Sequence, residues 1–297
     1  MSDNHTQMSD LENEVLSQPA CWLEAAALAP MSGLPERGSR VALVGCGTSF
    51  YMAQAIAVWR EASGHGESDA FPASEMPVRR AYDTVVVISR SGTTTEVLRL
   101  VKALGSQREV VAITGGDASP ITALVRREVA LPFANERSVV QTRFATSVLA
   151  LWRAHLGHDV GDLARLAKER LDVPPPDALG TYKQFVFLGQ GPGAALANEA
   201  ALKLREAALA WSEAYPSMEV RHGPISLLEV HSLVWSLGKL PSGLAGEIRA
   251  SGASLEEWSG DAMVELVRVH RAAIALARVK GLDASQPRHL TRSVVLR

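Results

Sequence analysis

Two kinds of apolar pattern alternate along the chain. Short, uniformly apolar runs, rich in β-branched residues, occupy Val41-Ala-Leu-Val44, Val85-Val-Val-Ile88, Val110-Val-Ala-Ile-Thr114 and Gln184-Phe-Val-Phe-Leu188, with a shorter one from Glu128 to Leu131. Strands covered on both faces, as in parallel sheets, read this way. Between them the apolar residues recur at helical spacing, from about Phe50 to Ala62, Glu96 to Leu104, Arg143 to Leu156 and Ala194 to Ala210. A further helix is expected between Thr114 and Glu128. The alternation predicts an α/β protein built on doubly wound parallel sheets, each flanked by helices in a flavodoxin-like αβα sandwich. Ahead of the first strand, Leu11 to Leu28 carries helical spacing interrupted by Pro19, which predicts two short helices joined at a kink. Residues 1–10 are polar and expected to be disordered, and Asp69 is placed in a polar loop.

The pattern turns charged after Leu156 and then proline-rich at Pro174-Pro-Pro176, which places a link between halves. The expected organisation is a helical arm over 1–35, a first domain over 36–165 and a second over 178–297. The second opens as the first does: Gln184–Leu188, the turn Gly189-Gln-Gly-Pro-Gly193 and a helix repeat the order and spacing of Val41 to Ala62. An internal duplication accounts for this, although any parallel α/β unit has a similar outline.

Composition narrows the function classes. With 297 residues and 47% hydrophobic content the chain can bury sizeable cores, and a net charge of −2 without a polybasic block argues against nucleic acid or an anionic membrane as partner. No run approaches the roughly 18 apolar residues of a membrane span. Cys21 and Cys46 are too few for a disulfide framework, and the N-terminus lacks a signal-peptide pattern, so a reducing cytoplasm is expected.

Candidate chemistry gathers at strand ends. After Val85–Ile88 come the hydroxyls of Ser89, Ser91, Thr93, Thr94 and Thr95, with Gly92 allowing close approach of the backbone and Arg90 able to supply charge if it faces inward. A helix follows, so free amides and the positive helix end favour an anion there. The turn Gly45-Cys-Gly47-Thr48-Ser49 repeats this logic, without the third glycine of a dinucleotide fingerprint. Ser and Thr also serve as plain helix caps, so one such turn alone has two readings. On Ala194–Ala210, Glu199, Lys203 and Glu206 share one face. That face fits either a solvated Glu–Lys pair or a site. The segment Ser212 to Pro224, read as a loop, carries Glu213, Glu219 and His222, and a histidine ahead of Gly-Pro is either an acid–base group or a plain exposed turn residue. His and carboxylates do not cluster at ligand spacing, so neither metal nor organic cofactor is expected.

Taken in order, Val44-Gly-Cys-Gly-Thr-Ser49, Ser89-x-Ser91-Gly-x-Thr94, Glu199-x-Ala201-Leu-Lys-Leu-x-Glu206, Glu213-Ala-Tyr215, His222-Gly-Pro224 and Asp283-x-x-Gln-Pro-Arg288 resemble the sugar isomerase (SIS) domain family. Within it they resemble the isomerase domain of glucosamine-6-phosphate synthase over nearly the whole chain. The resemblance implies two tandem SIS folds in a homodimer and a sugar 6-phosphate as substrate, held by Gly47, Thr48, Ser49, Ser89, Ser91, Gly92 and Thr94. It implies that Glu206 moves a proton between C1 and C2 and that His222, contributed across the dimer interface, opens the sugar ring. Lys203 then orients Glu206 or meets a sugar hydroxyl, and Val139 and Gln141 face the sugar.

Departures from that family pattern shape the expected reaction. Met1 is not followed by a cysteine, so no glutamine-hydrolysing activity is expected. Gln141 stands in a Ser position, Arg90 in a Gln position, and Arg292 where the synthase has its imine-forming lysine. An arginine stays protonated and forms no imine. The expected activity is therefore isomerisation or deamination of an amino-sugar 6-phosphate, the alternative being a non-catalytic sugar-phosphate sensor.

Overall fold

The computed structural model describes residues 8–116 and 118–296, and the expectation for residues 1–7 lies outside the described residues. Two parallel sheets form the frame. The first contains β1 (Val41–Gly45), β2 (Ser68–Pro72), β3 (Thr84–Ile88), β4 (Val110–Thr114) and β5 (Arg127–Ala130), in the order β2-β1-β3-β4-β5. The second contains β6 (Gln184–Gly189), β7 (Ser212–Pro216), β8 (Ser232–Ser236) and β9 (Ser254–Glu256), in the order β7-β6-β8-β9. Every pairing in both sheets is parallel. The helices are α1 (Asp10–Leu16), α2 (Gln18–Leu28), α3 (Thr48–Ala62), α4 (Thr95–Leu104), α5 (Arg143–His155), α6 (Val160–Asp172), α7 (Pro192–Ala208), α8 (Leu244–Ala250) and α9 (Ala262–Val279).

Alternation along each strand sorts side chains into layers. Leu43, Val86, Ile88, Val111 and Ile113 of the first sheet and Phe185, Phe187, Leu233 and Trp235 of the second point into one common core, which also takes in residues of α2, α3, α5, α6, α7 and α9. The opposite faces have their own smaller cores, under α4 on one side and α8 on the other. The two halves are thus welded through shared helices, and the stretch leading to Pro174 is mostly helix α6, packed on α2 and α9.

Five sequence expectations change. Ser9 and Asp10 are ordered: Ser9 closes a capping box with Glu12 at the start of α1. The arm packs deeply, since Trp22 is fully buried and its indole N–H donates to Thr146 Oγ1 at 2.8 Å. Pro19 falls in the first turn of α2, where a missing N–H costs nothing, so the break between α1 and α2 comes at Ser17. Asp69 belongs to β2, an edge strand that needs only Ala70 and Phe71 as apolar contacts and so shows no apolar run. Similarly Ser212–Pro216 is the edge strand β7 of the second sheet rather than loop. The fifth change lies between β4 and β5, where turns replace the expected helix among the described residues; Ile121 anchors them, its N–H donating to the Gly92 carbonyl at 3.3 Å.

The repeated turns agree in backbone as well as sequence. Gly47 caps α3 at φ 55°, ψ −127°, and Gly191 caps α7 at φ 53°, ψ −127°. A Cβ on Gly45 would lie 2.4 Å from the Ser49 carbonyl carbon, and one on Gly189 would lie 2.1 Å from the Gly193 oxygen. Glycine is thus required where each helix start crowds its strand. We predict that Gly45→Ala, which forces α3 away from β1, lowers stability by about 1–3 kcal/mol in urea denaturation.

Candidate active site

The turn after β3 and the start of α3 meet at the carboxyl edge of the first sheet. Ser49, Ser89, Ser91, Thr94, Cys46, Gln141 and Arg292 line a hollow there of about 30 Å³. Gly92, at φ 61°, closes the turn by donating to the Ser89 carbonyl at 3.1 Å; a Cβ there would lie 2.1 Å from Ser119 Oγ. Thr94 caps α4 by position without a side-chain cap bond, so its hydroxyl remains with the cup. The Gln141 Oε1 atom is buried there without a hydrogen-bond partner. Part of the cup is filled by the chain's own tail, for Ser293 Oγ lies 3.0 Å from Ser91 Oγ and 2.9 Å from Thr93 Oγ1.

Arg90 also lines this hollow, and its guanidinium holds the wall around it. Its guanidinium pairs with Glu136 Oε2 at 3.1 Å, both side chains being buried, and donates to the carbonyls of Ser138, Val139 and Arg292 at 3.0, 3.0 and 3.2 Å. Glu136 Oε1 accepts from the Thr142 and Arg143 amides at 2.6 and 2.8 Å, capping α5. Val139 is fixed on its other side by its N–H to the Ser285 carbonyl at 3.0 Å. The rim 136–142 is also tied to the arm, where Glu14 Oε1 accepts from the Arg137 and Ser138 amides at 2.6 and 3.2 Å. Arg292 bonds the Glu136 carbonyl through Nε at 3.0 Å and Asn135 Oδ1 through Nη2 at 2.6 Å.

Behind the first strand's turn lies a buried cation. Lys203 Nζ is 2.9 Å from Thr48 Oγ1, 2.5 Å from Glu206 Oε2 and 3.3 Å from Glu199 Oε1. Thr48 donates in turn to Glu199 Oε1 at 3.2 Å, so this hydroxyl faces the seam between α3 and α7. The shared helix face is therefore buried rather than solvated: the side chains of Glu199 and Lys203 are each 1% exposed, while Glu206 keeps 20%. Burial pushes the Glu199 carboxyl up to about 7, against the pull of Lys203. Burial alone would lower the Lys203 pKa, but the charges of Glu199 and Glu206 outweigh it and the net direction is up. On the neighbouring α9, burial, aided by the Lys203 charge, holds His270 down to about 3, and neither ring nitrogen has a partner.

Glu206 opens outward onto hollows of about 170 and 270 Å³ beside Leu209, Pro287 and Arg288. Leu209, at φ 47°, ends α7 just past it. Thr48, Lys203 and Glu206 thus form a seam of two short bonds that starts at the chain neighbour of Ser49 and ends at the carboxylate. His222 is not brought to this place within one chain; it sits exposed on a turn following β7 and lines none of these hollows. Sequence reading singled out Glu206 and Lys203 but passed over the structural weight of Glu136, Glu14, His270 and Ser293. Glu136 stood in the rim segment ahead of α5, its one available signal; the other three carry none.

The comparisons with known proteins fit this geometry. Residues 36–153 match the SIS domain family model. The glutamine–fructose-6-phosphate aminotransferase (isomerizing) of Xylella fastidiosa is 27% identical over 86% of this chain and 52% of its own length; the chain spans about half the length of the curated relatives it matches. Among solved structures, the glucosamine-6-phosphate deaminase of Thermotoga maritima superposes with a TM-score of 0.83 at 25% identity, covering 97% of this chain and 100% of that one. The C-terminal domain of glucosamine-fructose-6-phosphate aminotransferase from Francisella tularensis shares the fold at TM-score 0.81 and 20% identity, over 97% of this chain and 100% of that one. Residues 36–153 are a SIS domain. The chain as a whole is similar in fold to the glucosamine-6-phosphate deaminase of Thermotoga maritima. No helix among the described residues is long and apolar enough to cross a membrane.

Two predictions follow from the buried charges. Glu136→Ala strands the Arg90 guanidinium and uncaps α5, and should cost about 3–5 kcal/mol by urea denaturation. Glu199 holds its proton more tightly folded than unfolded, so its contribution to stability is present below its unfolded pKa and is lost as pH rises towards about 7. Melting temperatures of Glu199→Gln and the parent, compared from pH 5 to 8, should therefore shift in favour of the variant as pH rises.

Proposed function

We propose that this protein acts on an amino-sugar 6-phosphate, moving a proton between C1 and C2 and releasing ammonia by deamination. The observation that carries this reading is the Lys203 cluster: a buried ammonium fixes one oxygen of a half-open carboxylate, Glu206, and also bonds Thr48, the chain neighbour of Ser49 in the hydroxyl-lined cup. A phosphoester in the cup, held by Ser49, Ser89, Ser91, Thr94 and the amides about Gly92 and Thr95, would leave the far end of a hexose directed to Glu206. Val139 and Gln141 would lie along the sugar. His222, supplied by a second copy in a homodimer, would protonate the ring oxygen as the ring opens.

In the open-chain substrate, Glu206 takes the proton from C2, the electrons forming the C1–C2 double bond of an enolamine as O1 gains a proton from water, and returns the proton to C1 as the nitrogen gives one up to water. The product is a ketose imine, whose hydrolysis by water yields the ketose phosphate and ammonia. This sequence needs no lysine imine, which suits Arg292, whose guanidinium is anchored on Asn135 and Glu136. The similarity to a glucosamine-6-phosphate deaminase supports the deaminating form. An aldose–ketose isomerisation would use the same carboxylate without a C2 amine.

The test is an assay of purified protein with glucosamine 6-phosphate, measuring ammonia and fructose 6-phosphate. Turnover with both products is expected, and Glu206→Gln should reduce kcat about 10²- to 10⁴-fold with the sugar phosphate still bound. Binding of several sugar phosphates without turnover of any would replace this reading with a sensor.

A further inference from the structure

The C-terminal tail enters the hydroxyl cup and satisfies it. Ser293 Oγ stands within 3.0 Å of both Ser91 Oγ and Thr93 Oγ1 and 3.4 Å from Thr94 Oγ1, which is the arrangement an ester oxygen would take among the same three hydroxyls. The first amide of α4, that of Thr95, donates to the Val294 carbonyl at 3.1 Å, and Thr95 Oγ1 accepts from the Leu296 amide at 2.9 Å. Arg90 holds the Arg292 carbonyl from behind. The 30 Å³ left beside the tail takes a water or two but not a phosphate group.

What fastens the tail is almost wholly polar. Val294, Val295 and Leu296 are 50%, 64% and 50% exposed, so little apolar burial resists its removal. The segment is reached through His289, whose φ of 65° puts a side chain-bearing residue in the left-handed region. Strain of that kind marks a pivot held in place by its surroundings. A tail tied down by the same donors that an anion needs, and by little else, competes with that anion.

We propose that residues 290–296 form a strap in which Ser293 and the Val294 carbonyl stand in for phosphate oxygens, so that a phosphoester enters the cup by displacing the tail. The proposal rests on the reading of this turn as the phosphate site. It adds that the site is self-capped: affinity for a phosphoester is reduced by the cost of freeing the strap, and occupancy of the cup is reported by the tail. Removing the Ser293 hydroxyl takes away the competitor's main contact while leaving Ser91, Thr93 and Thr94 for the ligand.

Binding of inorganic phosphate and of glucosamine 6-phosphate, measured calorimetrically, separates the possibilities. Ser293→Ala should bind both roughly 2- to 10-fold more tightly than the parent, the worth of one hydrogen bond. A chain ending at Arg292 should gain at least as much. In the parent, saturating phosphate should speed hydrogen exchange at the Leu296 amide as the tail leaves. Unchanged or weaker binding by both variants, or slower exchange at Leu296, would overturn the strap and make the tail a part of the ligand's own enclosure. Absence of phosphoester binding in the parent and in both variants alike would remove the phosphate reading itself, and the strap with it.

Discussion

An ammonium buried where two helices meet organises this molecule. Lys203 has three protons, and three oxygens surround its nitrogen: Thr48 from α3, and Glu199 and Glu206 from its own helix α7. Taking such a charge out of water is tolerable only when each donor finds an acceptor and the net charge is offset. Two carboxylates around one ammonium overshoot by one negative charge, and burial, with the Glu206 charge adding to it, raises the affinity of Glu199 for a proton. Because Thr48 belongs to the first half of the chain and Lys203 to the second, this small cluster also fixes how the halves meet. The shared core of helices around it supplies the dryness that makes the geometry strict.

The rim of the first sheet follows a similar rule with the signs arranged differently. Arg90 is neutralised by Glu136, and the remaining donors and acceptors of the pair are spent on backbone: carbonyls of Ser138, Val139 and Arg292, amides of Thr142 and Arg143. Glu14 of the arm adds a second carboxylate on the same loop. Four distant segments, the arm, the turn after β3, the rim and the tail, are thereby drawn to one point. Arg90, able to supply charge to an anion if it faces inward, lines the hollow while its guanidinium ties the surrounding wall together.

The molecule has two similar frames, furnished differently. The turns at Gly47 and Gly191 superimpose in backbone angles, and β1-α3-β2-β3 and β6-α7-β7-β8 run in the same order. Only the first half carries the run of hydroxyls after its inner strand; after β8 the chain continues Leu237-Gly-Lys-Leu-Pro241. The second half contributes instead the helix face that bears Glu199, Lys203 and Glu206. Each half thus supplies what the other lacks.

The sequence alone determined the inner strands β1, β3, β4 and β6, the helices that follow β1, β3 and β6, and the hydroxyl turn, since these are local matters of apolar runs, glycine geometry and helix starts. Even the likeness to the SIS family could be read from short ordered motifs. It could not show β2 or β7, because an edge strand is half-buried and needs no apolar run, nor that a polar helix face at Glu199, Lys203 and Glu206 turns inward, because spacing fixes a face and not its direction. The partner of Arg90, the seat of Ser293 among Ser91 and Thr93, and the exposed position of His222 were settled by tertiary structure. Each depends on residues far apart in the chain meeting at a distance of about 3 Å, and no periodicity in one segment encodes where another will lie.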